Sequence, residues 1–125
     1  MLHAYDALVV DDDDDLRETL VDTLEDEGFR AASARNGLEA LDWLRGGRRP
    51  AVILLDFSMP QMDASAFRRA QREDPAIARV PVVLMSASRN FHIEGDAEAL
   101  PTLEKPLKLE ELIELVRGYR LGASA

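Results

Sequence analysis

The chain of 125 residues has no cysteine. Disulfide frameworks, thiolate metal sites and a cysteine nucleophile are therefore excluded. Positive charge is in deficit: 15 Lys and Arg stand against 24 Asp and Glu, a net charge of −9. A surface of that sign repels phosphate backbones, so direct nucleic-acid binding is not expected, whereas a cation or a basic partner is compatible with it. The apolar runs are short and interrupted, too short for a membrane span. The opening residues, Met1 to Asp6, combine no basic stretch with a long apolar one, so no secretory leader is expected and a reducing cytoplasm is the expected location. There is no internal repeat, and the acidic run Asp11–Asp15 is the one segment of low complexity. His3 and His92 carry no motif.

What is present suffices for one core. Leu, Ile, Val and Phe make up 34 of 125 residues, above the level at which chains stay disordered, and the length suits a single domain over residues 1–125. Strand-length apolar runs alternate with segments of helical period. Ala7–Val10 reads as a strand. Leu16, Leu20, Val21 and Leu24 recur at helical spacing and stop at Gly28. Phe29 to Ala34 is a weak second strand. Asn36 reads as the N-cap of a helix marked by Leu38, Leu41 and Leu44 and closed by Gly46-Gly47. Ala51–Leu55 is continuous apolar sequence, as in a strand buried on both faces. Phe67 and Ala70 suggest a helix ending before Pro75, and Val80–Met85 a fourth strand. A fifth strand is expected near Thr102-Leu103, at a sheet edge that would tolerate Pro101. Leu109, Leu112, Ile113 and Val116 mark a final helix. Between them, Arg89 to Leu100 has few apolar anchors and is expected to be the weakest part. Arg45, Arg48 and Arg49, like Arg68, Arg69 and Arg72, read as solvated faces, and Trp43 as packing beside the second helix. Alternation of this kind implies an α/β fold with a parallel sheet covered on both faces, its strand C-termini along one edge where ligands bind.

The polar residues that follow the apolar runs fall at that edge. They are Asp11-Asp12 after the first strand, Asp56 after the third, Ser86 after the fourth and Lys105-Pro106 after the fifth. Clustered carboxylates repel one another and call for a hard cation. Ligands that are all oxygen favour Mg²⁺, with Mn²⁺ as the alternative. Asp56 can act as a nucleophile and form an aspartyl phosphate, with Lys105 and Ser86 placed for its oxygens. Asp13, Asp14 and Asp15 have a plainer role, in capping the first helix and favouring its dipole. A calcium loop through Asp11, Asp13 and Asp15 fails at Leu16, where such a loop needs glycine, and at Asp22, where it needs Glu.

With those residues placed, Leu8-Val9-Val10-Asp11-Asp12, Leu54-Leu55-Asp56-Phe57-Ser58-Met59-Pro60, Met62-Asp63, Leu84-Met85-Ser86-Ala87 and Lys105-Pro106 together resemble a response-regulator receiver domain of two-component signalling. The resemblance implies a flavodoxin-like, doubly wound five-stranded parallel sheet of order 2-1-3-4-5. It implies Asp56 as phosphoacceptor, Asp11 and Asp12 as the acidic Mg²⁺ pair with the Ser58 backbone carbonyl as a further ligand, Ser86 as the switch hydroxyl, and Lys105 as the phosphate-binding lysine ahead of a cis proline bond. It implies a protein that catalyses only its own phosphorylation and slow dephosphorylation. Its partners would be a histidine kinase or phosphotransfer protein and a downstream target, and it would be a monomer or a weak phosphorylation-dependent dimer. Three positions depart from the pattern. Ala64 replaces the glycine usual after Met-Asp, Thr102 stands where a switch Tyr or Phe is common, and the span from Ser86 to Lys105 is short by roughly one helical turn, which implies a short or irregular fourth helix. Two other readings compete. One is a pseudo-receiver, an interaction module that accepts no phosphate. The other is a small haloacid-dehalogenase-type phosphatase, whose nucleophile would lie on the first strand.

Overall fold

A computed structural model describes residues 5–57, 62–87 and 100–121. Five strands form one parallel sheet of order β2-β1-β3-β4-β5: β1 (Tyr5–Val10), β2 (Ala31–Ala34), β3 (Pro50–Asp56), β4 (Val82–Ser86) and β5 (Thr102–Glu104). The helices among the described residues are α1 (Asp14–Asp26), α2 (Gly37–Arg45), α3 (Ala64–Arg72) and α4 (Leu109–Arg120). The expected fourth helix falls within 88–99, outside the described residues.

The pleat divides the core in two. Leu8, Val10, Ile53, Leu55, Val82 and Leu84 face Ala40, Leu41 and Leu44 of α2 and Phe67 of α3. The alternate residues Ala7, Val9, Val52, Leu54, Val83 and Met85 face Leu20 and Leu24 of α1 and Leu112 and Val116 of α4. Both faces of β1, β3 and β4 are thus covered, which is why these strands read as unbroken apolar runs. All seven residues of β3 are buried. Thr102 and Glu104 of β5 are exposed and Leu103 is half-buried, as suits an edge. Pro101 is tolerated there because the sheet uses its carbonyl, which accepts from the Leu84 N–H at 2.8 Å.

Turn chemistry sets the helix ends. Gly28 and Gly47 have φ of 88° and 97°, a region that side chains resist, and each ends the helix before it. Asn36 caps α2, its side chain accepting from the Glu39 N–H at 2.8 Å. The N-cap of α1 is Asp13, the first of the three acids expected to cap that helix, with Asp14 and Asp15 in its first turn. The segment is helix from Asp14 onward, which leaves no calcium loop.

Some expectations need correction. Leu38 is 48% exposed; the buried stripe of α2 runs through Gly37, Ala40, Leu41 and Leu44, and position 38 lies at its rim. Arg49 is no solvated residue: it is half-buried, and its Nη1 donates to the carbonyls of Leu44 and Arg48, both at 2.7 Å. Trp43 packs edge-on against Tyr5, 5.0 Å between ring centres, beneath the Arg48 guanidinium. Ala64, in place of the usual glycine, is buried as the first residue of α3, behind an Asp63 side chain that accepts from the Ala66 N–H at 2.8 Å.

Candidate functional site

The register of the three inner strands assembles the site. Val10 lies beside Leu55, so Asp11 and Asp56 emerge together. Asp56 pairs with Met85 and so stands next to the end of β4, where Ser86 follows. Ser86 pairs with Glu104, and its carbonyl accepts from the Lys105 N–H at 2.7 Å. The Lys105–Pro106 peptide is cis, as the resemblance implies.

Side chains then converge. Lys105 Nζ donates to Asp56 Oδ1 at 3.1 Å and to Asp11 Oδ2 at 3.2 Å. Asp11, Asp12 and Asp56 each bring a carboxylate oxygen within 4.8 Å of the others. Asp11 and Asp56 are buried and Asp12 is exposed, so the cluster is open on one side. Ser86 is 3% exposed. Ser58 lies outside the described residues, and so does all but Leu100 of the Arg89–Leu100 segment expected to be weakest. Thr102, at the usual switch position, is exposed, its hydroxyl donating to the Leu100 carbonyl at 3.4 Å.

The electrostatics follow from this packing. Burial pushes the Asp56 carboxyl above the usual carboxylate range; the charges of Asp11 and Asp12 push the same way, and the bond and charge of Lys105 oppose them. For Lys105, burial favours the neutral amine, but its bonds and charge interactions with Asp56 and Asp11 outweigh this and hold the ammonium above its ordinary value. Three carboxylates against one ammonium leave an excess of negative charge at short range. Such an all-oxygen, acid-rich donor set fits a small hard divalent cation. Mg²⁺ is the ion that the resemblance implies, and Asp11, Asp12 and Asp56 are the residues that could hold it.

One participant escaped the reading of the sequence. Arg17 lies on α1, where a charged residue reads as solvent-facing, yet its side chain is only 12% exposed. Its spacing of three residues from Asp14 is the signal that was available.

Comparison with known proteins places this geometry. The family model described as the response regulator receiver domain matches residues 7–117. The polar-differentiation response regulator DivK of Brucella anthropi is 28% identical over 118 residues, which are 90% of this chain and 93% of DivK. Response regulator Rre1 of Synechocystis sp. is 35% identical over 94% of this chain, which spans about half of that longer relative, 52% of its length. A solved CheY-like receiver domain protein from Methanospirillum hungatei superimposes with a TM-score of 0.80 at 30% identity, covering 91% of this chain and 92% of that one. None of the helices among the described residues is long and apolar enough to cross a membrane.

Proposed function

The chain belongs to the response regulator receiver domain family, whose model spans residues 7–117, and on that premise we propose that it is a phosphoacceptor in a two-component or phosphorelay system, with Asp56 as the residue phosphorylated. Receiver domains are signalling modules rather than conventional enzymes, and response-regulator receivers act between histidine kinases and downstream effectors. The observation that carries the reading is the single ammonium of Lys105 bonded to both Asp11 and Asp56, with Asp12 completing a cluster of acids at the strand ends.

The chemistry assigned to each residue follows from its position. Asp56 attacks the phosphorus of a phosphohistidine on a kinase or phosphotransfer protein; a bond from its carboxylate oxygen forms as the nitrogen–phosphorus bond of the donor breaks. Lys105 moves from carboxylate to phosphoryl oxygen, and Ser86 donates to another. Asp11 and Asp12, with Asp56 and the Ser58 backbone carbonyl, would hold Mg²⁺, or Mn²⁺ in its place. The bound cation supplies charge neutralisation for the phosphoryl oxygens. The same site then hydrolyses the acyl phosphate slowly. With threonine at position 102, the switch depends on Ser86 and its strand end rather than on a rotating ring, and its output is binding to a target protein. A cytoplasmic location and a monomer, or a weak dimer formed on phosphorylation, complete the proposal.

Intact-mass spectrometry after incubation with acetyl phosphate and Mg²⁺ tests it. One added phosphoryl group is expected on the wild-type chain and none on Asp56→Asn. A wild-type chain that binds Mg²⁺ but gains no phosphoryl group would instead be the pseudo-receiver, an interaction module without phosphate chemistry. Turnover of p-nitrophenyl phosphate, the mark of a phosphatase, is not expected: Asp56 ends the third strand, whereas haloacid-dehalogenase-type enzymes carry the nucleophile on the first.

A further inference from the structure

Arg17 reaches back beneath the strand end it follows. Its Nη1 donates to the backbone carbonyl of Asp11 at 2.7 Å, and its Nη2 pairs with the Asp14 carboxylate at 2.5 Å. Asp11 is also tied through its side chain, where Oδ1 accepts from the Asp13 N–H at 2.9 Å and Oδ2 from Lys105 at 3.2 Å. The turn from β1 into α1 is thus held at the Asp11 carbonyl, at the Asp11 carboxylate and at the Asp13 cap. Asp12 sits between these fixed points and is itself exposed.

A turn carrying five consecutive carboxylates, Asp11 to Asp15, repels itself, and repulsion spreads the side chains apart. The guanidinium counters this from the α1 side, and the ammonium of Lys105 from the sheet side. We propose that Arg17 is a positioning residue of the metal site: by clamping the Asp11 carbonyl to the first turn of α1, it fixes the turn that presents the Asp11 and Asp12 carboxylates to the cation. This rests on the reading of Asp11, Asp12 and Asp56 as the Mg²⁺ site. A planar guanidinium suits the task because its two acceptors, a backbone carbonyl and a carboxylate, lie apart and are met by separate nitrogens; an ammonium would have to reach both from one nitrogen. Groups behind metal ligands act by holding those ligands ready, so that binding costs little ordering.

Calorimetric titration of Mg²⁺ into the intact chain, without phosphoryl donor, is the direct experiment. Arg17→Gln is expected to weaken Mg²⁺ binding about 10-fold. Arg17→Lys, which keeps the charge but on one nitrogen, should fall between it and the wild type. Asp14→Asn, which loosens the exposed end of the clamp, should weaken binding about 2-fold. In Arg17→Gln the Asp13 amide should exchange faster while the β3 amides keep their protection. With acetyl phosphate, the Mg²⁺ concentration for half-maximal phosphorylation should rise by the same factor as the dissociation constant. The rate at saturating Mg²⁺ should stay within about 2-fold of wild type. Unchanged Mg²⁺ affinity in folded Arg17→Gln and Arg17→Lys, with the wild type binding, overturns the positioning role and leaves the metal site standing. A rate deficit that saturating Mg²⁺ does not restore also overturns it. A wild-type chain that binds no Mg²⁺ overturns the metal site as well. Should Arg17→Gln fail to fold, Arg17→Lys and Asp14→Asn carry the test, and wild-type affinity in both overturns the proposal.

Discussion

Strands β3 and β5 each deliver one end of the ion pair at the heart of the site, and they could hardly differ more in how they are held. Every residue of β3 is buried, flanked by β1 and β4 and covered by helices on both faces. β5 is three residues long at the sheet edge, with Thr102 and Glu104 in solvent. Asp56 therefore stands on the most constrained strand of the molecule and Lys105 follows the least constrained. A group that must present a fixed oxygen to a donor benefits from the first setting. A group that must leave one carboxylate for an arriving phosphoryl oxygen benefits from the second. The contrast makes the lysine the adjustable half of the pair.

The largest effect should separate the strands by stability. Leu54→Ala in β3 removes a fully buried side chain and should cost about 2–5 kcal/mol. Leu103→Ala in β5 removes a half-buried one packed against the α1–α4 side and should cost about 1 kcal/mol. Urea denaturation of both variants measures this, and equal losses would erase the distinction between the strands.

Next comes Lys105→Met, which keeps the chain length and removes the ammonium. Phosphorylation by acetyl phosphate should slow by about 100-fold or more, the loss seen when one donor to a developing charge is deleted. Without metal the variant should also be less stable by about 1–2 kcal/mol, because the buried Asp11 and Asp56 carboxylates lose their partner. Mg²⁺ should restore much of that stability by binding the folded form alone. Thermal unfolding with and without Mg²⁺ reads the effect; a metal-free Tm equal to wild type would mean the ion pair is not needed to hold the acids together.

Asp56→Asn tests the β3 end with the opposite sign. Burial first, and then the neighbouring acids, raise the Asp56 pKa in the folded chain, so the folded state keeps this proton to higher pH than the unfolded state does. Stability of the wild type therefore falls as pH rises from the ordinary carboxylate range, near 4, through the raised folded value. Asparagine does not titrate. In metal-free buffer Asp56→Asn should be the more stable protein at neutral pH, and its advantage should vanish below the ordinary range. Urea midpoints across pH give the answer, and an advantage that grows toward acid would reverse the assigned cause.

The same contrast explains what could be read from the sequence. β1, β3 and β4 were legible because burial on both faces demands unbroken apolar runs, and the site acids were legible because they interrupt those runs at their ends. β2, with the sequence Ala31-Ala32-Ser33-Ala34, is held by its parallel pairing with β1 more than by its own composition, so its start, two residues after Phe29, was not visible. β4 begins at Val82 rather than Val80 because Pro81 has no N–H to give the ladder. Leu38 misled because three leucines at 38, 41 and 44 fit a helical stripe, while the chain buries the small Gly37 and Ala40 instead. Arg17 was hidden for a different reason: periodicity assigns charge to solvent, and only the bend from β1 into α1 brings its guanidinium under the Asp11 carbonyl.

The smallest expected effect concerns the outer surface of β5. Thr102→Tyr supplies an aromatic ring where the family often has one. The position is exposed on an edge strand, where tyrosine fits about as well as threonine. The change gives up a hydrogen bond of 3.4 Å from the Thr102 hydroxyl to the Leu100 carbonyl, which is long and solvated and so worth little. Stability should stay within about 0.5 kcal/mol of wild type. Phosphorylation by acetyl phosphate should be unaltered, since the side chain at 102 forms none of the bonds that join Asp11, Asp56 and Lys105. Urea denaturation and the acetyl-phosphate rate check both statements. A stability change beyond about 1 kcal/mol in either direction would show that the outer face of β5 is packed rather than open, and the lysine that follows it would then be held as firmly as the aspartate it faces.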